Sequence, residues 1–353
     1  MHKLAVFQSD LDVGGIQKSI VNLLNNLDYK SYYVDLFLFK RGSLWEKKIP
    51  SDVNVHYINP LPVVCKFIPF EIVKRFFKID FDGCENNHYD VAIDFNSYQV
   101  SCALAAIMIP AKKHVMWIHN NVEIKYNNEW KYRVLWNSFK GKFSYFDLFV
   151  PCSAALIEPF SRLSKVNGAD FKVISNYIDT TEIKQLSDEK VSDVKVDDSF
   201  MNFVAVGRLC HQKGYDIMLD VFSKVIKARN DVRLYIIGGG PDFDSLVTQA
   251  GELKIRGNVF FLGNRDNPYK YMKLMDAFVS TSRYEGQPLN IMEAKAIGLP
   301  LYCSKNLEIY TDGLKGFDNL EETVIQAKKQ PKHPDSLNDY NQNILKCIEE
   351  LAE

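Results

Sequence analysis

The sequence lacks most of the features that would classify it at a glance. Its longest apolar run, residues 103–109, is far short of the roughly 20 residues that a membrane-spanning helix needs, so no integral membrane segment is expected. The seven cysteines, at 65, 84, 102, 152, 210, 303 and 347, are odd in number, scattered and without a C-x-x-C pair. That spacing suggests neither a disulfide framework nor a zinc site, and it fits reduced thiols in a cytoplasmic protein. Net charge is −1, from 43 Lys and Arg against 44 Asp and Glu, so no whole-chain field attracts nucleic acid. The first residues, Met1-His2-Lys3-Leu4-Ala5-Val6-Phe7, lack a long apolar region and a small-residue cleavage site. They read as a first strand rather than a signal peptide.

What is present is an ordinary globular composition, 46% hydrophobic and 25% charged. At 353 residues the chain exceeds one typical core and fits two domains. Short apolar runs at 4–7, 34–39, 53–58, 89–95 and 113–118 read as strands, and so do runs at 202–206, 232–237, 258–262 and 277–282. Helix-length segments or loops separate them, and such alternation implies an α/β fold with mostly parallel sheets.

The chain is organised around residues 282–294, Ser-Arg-Tyr-Glu-Gly-Gln-Pro-Leu-Asn-Ile-Met-Glu-Ala. A buried strand leads in, and a helix through Leu289, Ile291, Met292, Ala294 and Ala296 leads out, ending near Gly298 and Pro300. A helix N-terminus offers free backbone N–H groups and a partial positive charge, so Gly286, Gln287, Pro288, Leu289 and Asn290 form a candidate phosphate cradle. Glu285 sits at the strand's carboxyl end, where ligands bind in open α/β sheets. Glu293, one or two helical turns in, is placed to accept from a diol such as a ribose. Taken singly, Glu285 as a solvated loop residue and Glu293 as a partner of the helix dipole are equally compatible readings.

Three other loops follow strands in the same way. Gly14-Gly15 precedes a helix marked by Ile16, Ile20, Val21, Leu24 and Leu27, and paired glycines let backbone approach a ligand closely. His119 closes the strand Lys113-His114-Val115-Met116-Trp117-Ile118, again at the ligand edge. Arg208 and Lys213 share the loop Gly207-Arg208-Leu209-Cys210-His211-Gln212-Lys213-Gly214, and two cations there suit a diphosphate, the first as a fork and the second as a point charge.

With these residues in view, the chain resembles the retaining glycosyltransferases of family 4 (glycosyl transferases group 1). Glu285 and Glu293 with Gly286, Pro288, Leu289 and Ala294 match the family's E-G-x-P-L-x-x-x-E-A signature, and the other motifs fall in family order. Gly207 to Gly214 resembles G-R-L-x-x-x-K-G, Ile236 to Pro241 resembles I-x-G-x-G-P, and Val259 to Gly263 resembles V-x-F-x-G. Departures are Asn120, where the family commonly has Asp, and Ser175 and Tyr177 for Pro and Gly in the interdomain motif.

The resemblance implies the GT-B fold, two Rossmann-like domains with parallel sheets facing a cleft and a C-terminal helix crossing back. The expected boundaries are residues 1–178 for the acceptor-binding domain, 179–335 for the nucleotide-sugar-binding domain and 336–353 for the returning helix. It implies transfer of a hexose from a nucleotide sugar, a UDP-sugar in the first instance, to an acceptor hydroxyl with retention of configuration. Implied roles put Arg208 and Lys213 on the diphosphate, 286–289 on phosphate oxygens, Glu293 on the ribose, Glu285 on the donor sugar and His119 and Gly15 at the transferring sugar. Arg265 would lie on the donor side, beside backbone that reads the nucleobase. No metal and no bound cofactor are implied, the two cations neutralising the leaving group. A sugar-nucleotide epimerase and a non-catalytic GT-B partner subunit are the alternatives.

Two segments mix bases with aromatics. Residues 65–79 carry Lys74, Arg75 and Lys78 beside an apolar stripe of Phe70, Val73, Phe76 and Phe77, and read either as an interfacial helix drawn to anionic lipid or as a surface helix packed on the sheet. Residues 125–149 interleave five basic side chains with Trp130, Tyr132, Trp136, Phe139, Phe143 and Tyr145. Without a nucleic-acid module, a lipid-linked saccharide acceptor or the inner membrane face accounts better for this than single-stranded nucleic acid does. The charged stretch 179–198 reads as an exposed interdomain link.

Overall fold

The computed structural model describes residues 1–12, 14–81, 83–166 and 168–353; Val13, in the expected glycine loop, lies outside the described residues. Two compact units share the chain, Met1–Tyr177 with Asp339–Glu353, and Ile178–Asn338. Each is built on one sheet. The first contains β1 (His2–Gln8), β2 (Tyr32–Leu38), β3 (Val53–Tyr57), β4 (Tyr89–Asp94), β5 (Ala111–Ile118), β6 (Leu148–Pro151) and β7 (Asp170–Phe171), all parallel, in the order β3-β2-β1-β4-β5-β6-β7. The second contains β8 (Met201–Val206), β9 (Val232–Ile237), β10 (Val259–Gly263), β11 (Ala277–Ser280), β12 (Leu301–Ser304) and β13 (Gly316–Phe317), also parallel, in the order β10-β9-β8-β11-β12-β13.

Strands covered on both faces read as unbroken apolar runs rather than alternating ones, and the buried runs Leu4 to Phe7 and Phe203 to Ala205 show this. In the first unit Leu4, Val6, Leu36, Val91 and Trp117 pack with Ile20, Val21 and Leu24 of the helix Gly15–Leu24. The same core takes Ile344, Ile348 and Leu351 from the helix Asn338–Ala352 at the other end of the chain. In the second unit Phe203, Ala205, Leu234 and Val279 pack with Met218, Leu219, Phe222 and Val225 of the helix Tyr215–Ala228. Strand order reverses between β1 and β4 and again between β8 and β11. Loops leaving two such neighbours diverge, and the crevice they leave is where ligands bind in open α/β sheets.

Several expectations change. The expected link 179–198 opens as the helix Thr180–Ser187, capped by Asp179, whose Oδ1 accepts from the Glu182 N–H at 2.8 Å. It buries Ile183 and packs on the helices Tyr269–Leu274 and Leu289–Ile297, so one well-placed side chain and a cap outweigh the high charge. Tyr177, which stands where the family has glycine, is not among the described non-glycine residues with positive φ, which are Lys165, Lys254 and Leu337. Its carbonyl accepts from Asn22 Nδ2 at 3.2 Å, and the Asn176 carbonyl accepts from the Tyr340 hydroxyl at 2.8 Å.

The basic, aromatic segments also divide differently. Tyr132, Trp136, Phe139 and Phe143 are buried, with ring centroids of Trp136 and Phe143 5.1 Å apart and of Phe143 and Phe160 5.0 Å apart. Most of the 125–149 aromatics are therefore core, not a binding face, because the helix Trp130–Phe139 turns them inward. Lys142 is fully buried, and its Nζ donates to the Ser97 carbonyl at 2.5 Å. Burial pushes the Lys142 ammonium down to about 8 and the nearby Asp94 carboxyl up to about 7, each opposed by attraction to the other. The helix Phe70–Phe76 is shorter than the apolar stripe suggested, burying Phe70 and Val73 but leaving Phe76 71% exposed. Among the described residues no helix is long and apolar enough to cross a membrane.

Candidate active site

In the second unit the loops leaving β8 and β11, the two strands at the reversal, are stitched together. The Thr281 hydroxyl donates to the Gly214 carbonyl at 2.8 Å, and the Arg283 N–H donates to the Gln212 carbonyl at 2.8 Å. Gln212 Nε2 donates to the Tyr284 carbonyl at 3.1 Å. The Arg283 guanidinium reaches the His211 carbonyl at 2.7 Å and grips both oxygens of Asp216 at 2.8 and 2.5 Å, which holds that carboxyl below its usual range. Gly214 has φ 65°, and a Cβ there would lie 2.2 Å from the Thr281 carbonyl oxygen, so only glycine permits this closeness.

The stitching brings Lys213 Nζ to 2.6 Å from Glu285 Oε1. Glu285 is only 5% exposed, and Gln212 Nε2 lies 3.5 Å from its other oxygen. Arg208, on the same loop as Lys213, is exposed and has no hydrogen-bond or ion-pair partner among the described residues. One cation of the expected pair is thus engaged with the expected sugar-binding carboxylate, and the other points to solvent.

The helix Leu289–Ile297 follows directly, with Pro288 at its N-cap and no side chain capping it. Pro288 has no N–H, so of positions 286–289 only Gly286, Gln287 and Leu289 can donate. The Leu289 and Asn290 N–H groups have no acceptor among the described residues, whereas that of Ile291 is shared by the Pro288 carbonyl and Asn290 Oδ1. Asn290 Nδ2 donates to the Val206 carbonyl at 2.7 Å, tying the helix start to the end of β8. Glu293 is buried in the second turn, where its Oε1 accepts from the Tyr269 hydroxyl at 3.3 Å. Arg265, just past β10, pairs with Asp193 at 3.1 Å and lies 5.2 Å from the Tyr271 ring centroid.

In the first unit His119 directly follows β5 and is buried. Its Nε2 donates to the Phe95 carbonyl at 3.0 Å and its ring lies 4.7 Å from that of Phe95. A carbonyl only accepts, so Nε2 carries the proton and Nδ1 is left as an acceptor. Burial pushes the imidazole down to about 4, against a smaller upward pull from the Phe95 carbonyl, so the ring is neutral. Gly15 begins the helix Gly15–Leu24, and a Cβ placed on it meets nothing within 4 Å. Lys74 Nζ lies 4.4 Å from the Tyr145 ring centroid, while Arg75 and Lys78 are exposed.

Arg208, Lys213, Glu285 and the start of the 289–297 helix therefore gather at one sheet reversal, and Gly15 and His119 follow β1 and β5 of the other sheet. Lys74, Arg75 and Lys78 stand apart on their own segment. The Arg283–Asp216 clamp and the hydrogen bonds of Gln212 to Tyr284, Thr281 to Gly214, Asn290 to Val206 and Tyr269 to Glu293 have no signature in the sequence, since the partners are tens of residues away.

Residues 188–343 match the family model described as glycosyl transferases group 1. Over 364 aligned residues, spanning 96% of this chain and 92% of the relative, the sequence is 26% identical to the N-acetylgalactosamine-N,N'-diacetylbacillosaminyl-diphospho-undecaprenol 4-alpha-N-acetylgalactosaminyltransferase of Campylobacter jejuni. It is also 26% identical to an uncharacterised glycosyltransferase of Methanocaldococcus jannaschii, over 80% of this chain and 70% of that one. Among solved structures, Anabaena HepE in complex with UDP and glucose superposes with a TM-score of 0.62 at 20% identity, covering 99% of this chain and 91% of HepE. A mutant form of S. aureus TarM, in complex with fondaparinux, alpha-GlcNAc-glycerol and UDP, also gives 0.62, at 14% identity, covering 100% and 94%. The two Rossmann-like units are those of the GT-B fold, and the chain is an enzyme, a glycosyltransferase.

Proposed function

We propose that the protein moves a hexose from a UDP-sugar to an acceptor hydroxyl with retention of anomeric configuration, the acceptor being a saccharide on a lipid carrier in cell-surface polysaccharide or glycoconjugate synthesis. The observation that carries this reading is the meeting of Lys213 and Glu285 beside an uncapped helix N-terminus, at the reversal of the second sheet. The HepE complex with UDP and glucose and the undecaprenol-linked substrate named for the Campylobacter relative support the choice of donor and acceptor class.

In this reading Arg208 and Lys213 stabilise the charge that develops on the departing diphosphate, the main demand of the chemistry. Leu289 and Asn290 N–H groups bind phosphate oxygens, Glu293 takes the ribose and Glu285 the donor sugar's hydroxyls. Lys213 then sits between the sugar carboxylate and the leaving group. His119, neutral with Nδ1 as acceptor, orients a sugar hydroxyl, and Gly15 leaves room for the donor. Arg265 lies on the nucleobase side. No metal takes part in the transfer.

A membrane-facing role for the acceptor side is supported by exposed Val63, Val64, Phe67, Phe76 and Trp130, which stand beside Lys66, Arg75, Lys78 and Lys131. Exposed apolar side chains rimmed by bases suit a peripheral contact with anionic lipid at the inner face of the membrane.

The test is incubation with labelled UDP-sugars, with and without a lipid-linked saccharide. Free UDP released faster with acceptor, with the sugar's anomeric configuration retained in the product, is the expected result. Conversion of the donor without acceptor would instead mark an epimerase, and no uptake of any sugar nucleotide would mark a non-catalytic subunit.

A further inference from the structure

The ligand edge of the first sheet holds a cation with no counter-charge. Lys125 lies in the last turn of the short helix Val122–Asn128, which follows β5 and His119, and it is half-buried. Its Nζ is 5.6 Å from the ring centroid of Tyr98 and 5.3 Å from that of Tyr132. Tyr98 belongs to the loop after β4, just beyond Phe95, whose carbonyl accepts from His119. The ammonium is therefore held where β4 and β5 end, near the histidine assigned to the transferring sugar.

The two rings account for its position but not for its charge. Ring faces within about 6 Å attract a cation, yet an ammonium has three N–H donors to place and a ring face is a poor substitute for a lone pair. Lys125 has no hydrogen-bond or ion-pair partner among the described residues. Its neighbouring carboxylates do not supply one. Glu123 is gripped by Arg162 at 2.7 and 2.9 Å, and Glu129, the i+4 neighbour, is exposed and makes no ion pair among the described residues. A cation in a last turn does favour the helix C-terminus, but that effect needs no tyrosine on either side. Tyr132 is only 6% exposed, and its hydroxyl too has no hydrogen-bond partner among the described residues.

The adjoining loop leaves the local charge positive. Asn120 lies beside the Tyr98 hydroxyl, at the position where Asp is common in the family. A carboxylate there would repel an anion approaching Lys125, and the neutral amide does not. Lysine, a compact point charge on a flexible stem, suits a phosphate, whereas carboxylates favour the planar fork of arginine. On the helix that supplies Tyr132, Trp130 and Val134 are 65% and 48% exposed and offer apolar contacts to a lipid.

We propose that Lys125, flanked by Tyr98 and Tyr132, binds a phosphate of the acceptor, the group that joins the saccharide to its lipid carrier, and so selects phosphate-linked acceptors over neutral ones. The inference rests on the lipid-linked acceptor proposed above and adds the side chain that reads its phosphate. No bond is made or broken at Lys125, which determines specificity and not chemistry.

The test is calorimetric titration of the whole protein, at saturating UDP so that the donor side is occupied, with geranyl diphosphate, geraniol and inorganic pyrophosphate. The expected result is one geranyl diphosphate per chain, with both other probes bound more weakly. Lys125→Ala weakens geranyl diphosphate binding by at least about 10-fold, the scale of one charge-assisted hydrogen bond. Lys125→Arg retains more of it than Lys125→Ala does, and Asn120→Asp weakens it with Lys125 in place. UDP affinity and Tm, unchanged in each variant, show that the fold is kept. No binding of geranyl diphosphate, or the same affinity in wild type and Lys125→Ala, overturns the proposal. Geraniol binding as tightly would remove the phosphate from recognition, and pyrophosphate binding as tightly would assign the site to a free anion; either result overturns it too. Uptake of UDP-sugars, read in a separate titration without lipid, tests the donor reading on its own, so the two can fail independently.

Discussion

Lys213 and Arg208 are expected to do similar work on a diphosphate, yet their settings differ. Lys213 is paired with a buried carboxylate and Arg208 stands in solvent. Replacing either by alanine should cut turnover by about 10²–10³-fold, the scale for losing one preorganised donor. Stability should separate them. Lys213→Ala leaves Glu285 buried without its cation and should cost toward the lower end of the ~3–5 kcal/mol seen when a buried pair is broken. Arg208→Ala should stay within about 0.5 kcal/mol. Steady-state rates and urea unfolding of the two variants check both expectations. At this scale the sequence marked Arg208, Lys213, Glu285 and Glu293 as separate candidates, because each falls in a recognisable motif. It could not show that Lys213 and Glu285 touch across 72 residues, nor that Arg283 and Asp216 clamp their loops together across 67.

Most strands and their order of appearance were legible because parallel strands covered on both sides leave continuous apolar runs, but the short β7, β12 and β13 were not. Helices were less so. The helix Thr180–Ser187 is mostly polar, and the aromatics of 130–143 look equally like a sticky surface or a core until their neighbours are known. The tip of β5 offers a test of how one element rests on the next. His119 titrates near 6.5 when unfolded and near 4 when folded, since burial against Phe95 penalises the cation. Below pH 6.5 the unfolded chain takes up a proton that the folded one refuses until about pH 4, so this contribution to stability is present at pH 7 and falls as the solution is acidified. Between pH 7 and pH 5 the loss is about 2 kcal/mol at 1.36 kcal/mol per pKa unit. His119→Gln should abolish that slope, so the stability advantage of wild type over variant, read from urea unfolding, should fall by about 2 kcal/mol from pH 7 to pH 5, whereas a difference that does not change with pH would place the acid sensitivity elsewhere. Asp94, pushed up to about 7, acts in the opposite sense in both proteins and cancels in the comparison.

Over the whole molecule, the first unit is not continuous in sequence, because the helix Asn338–Ala352 completes its core. Ile348→Ala, which truncates a side chain only 2% exposed in that core, should lower the unfolding free energy of the first unit by about 2–5 kcal/mol. Hydrogen exchange read by mass spectrometry should then quicken in β1, β2 and β4 and stay as it was in β8 to β13. Equal quickening in both sheets would mean that the units unfold together. The same wiring sets a timetable for synthesis. A ribosome adding roughly 5–20 residues per second would leave Met1–Tyr177 waiting roughly 10–30 s for Asp339–Glu353 to emerge, and in that interval the nascent polypeptide holds an uncovered greasy flank for chaperones to shield.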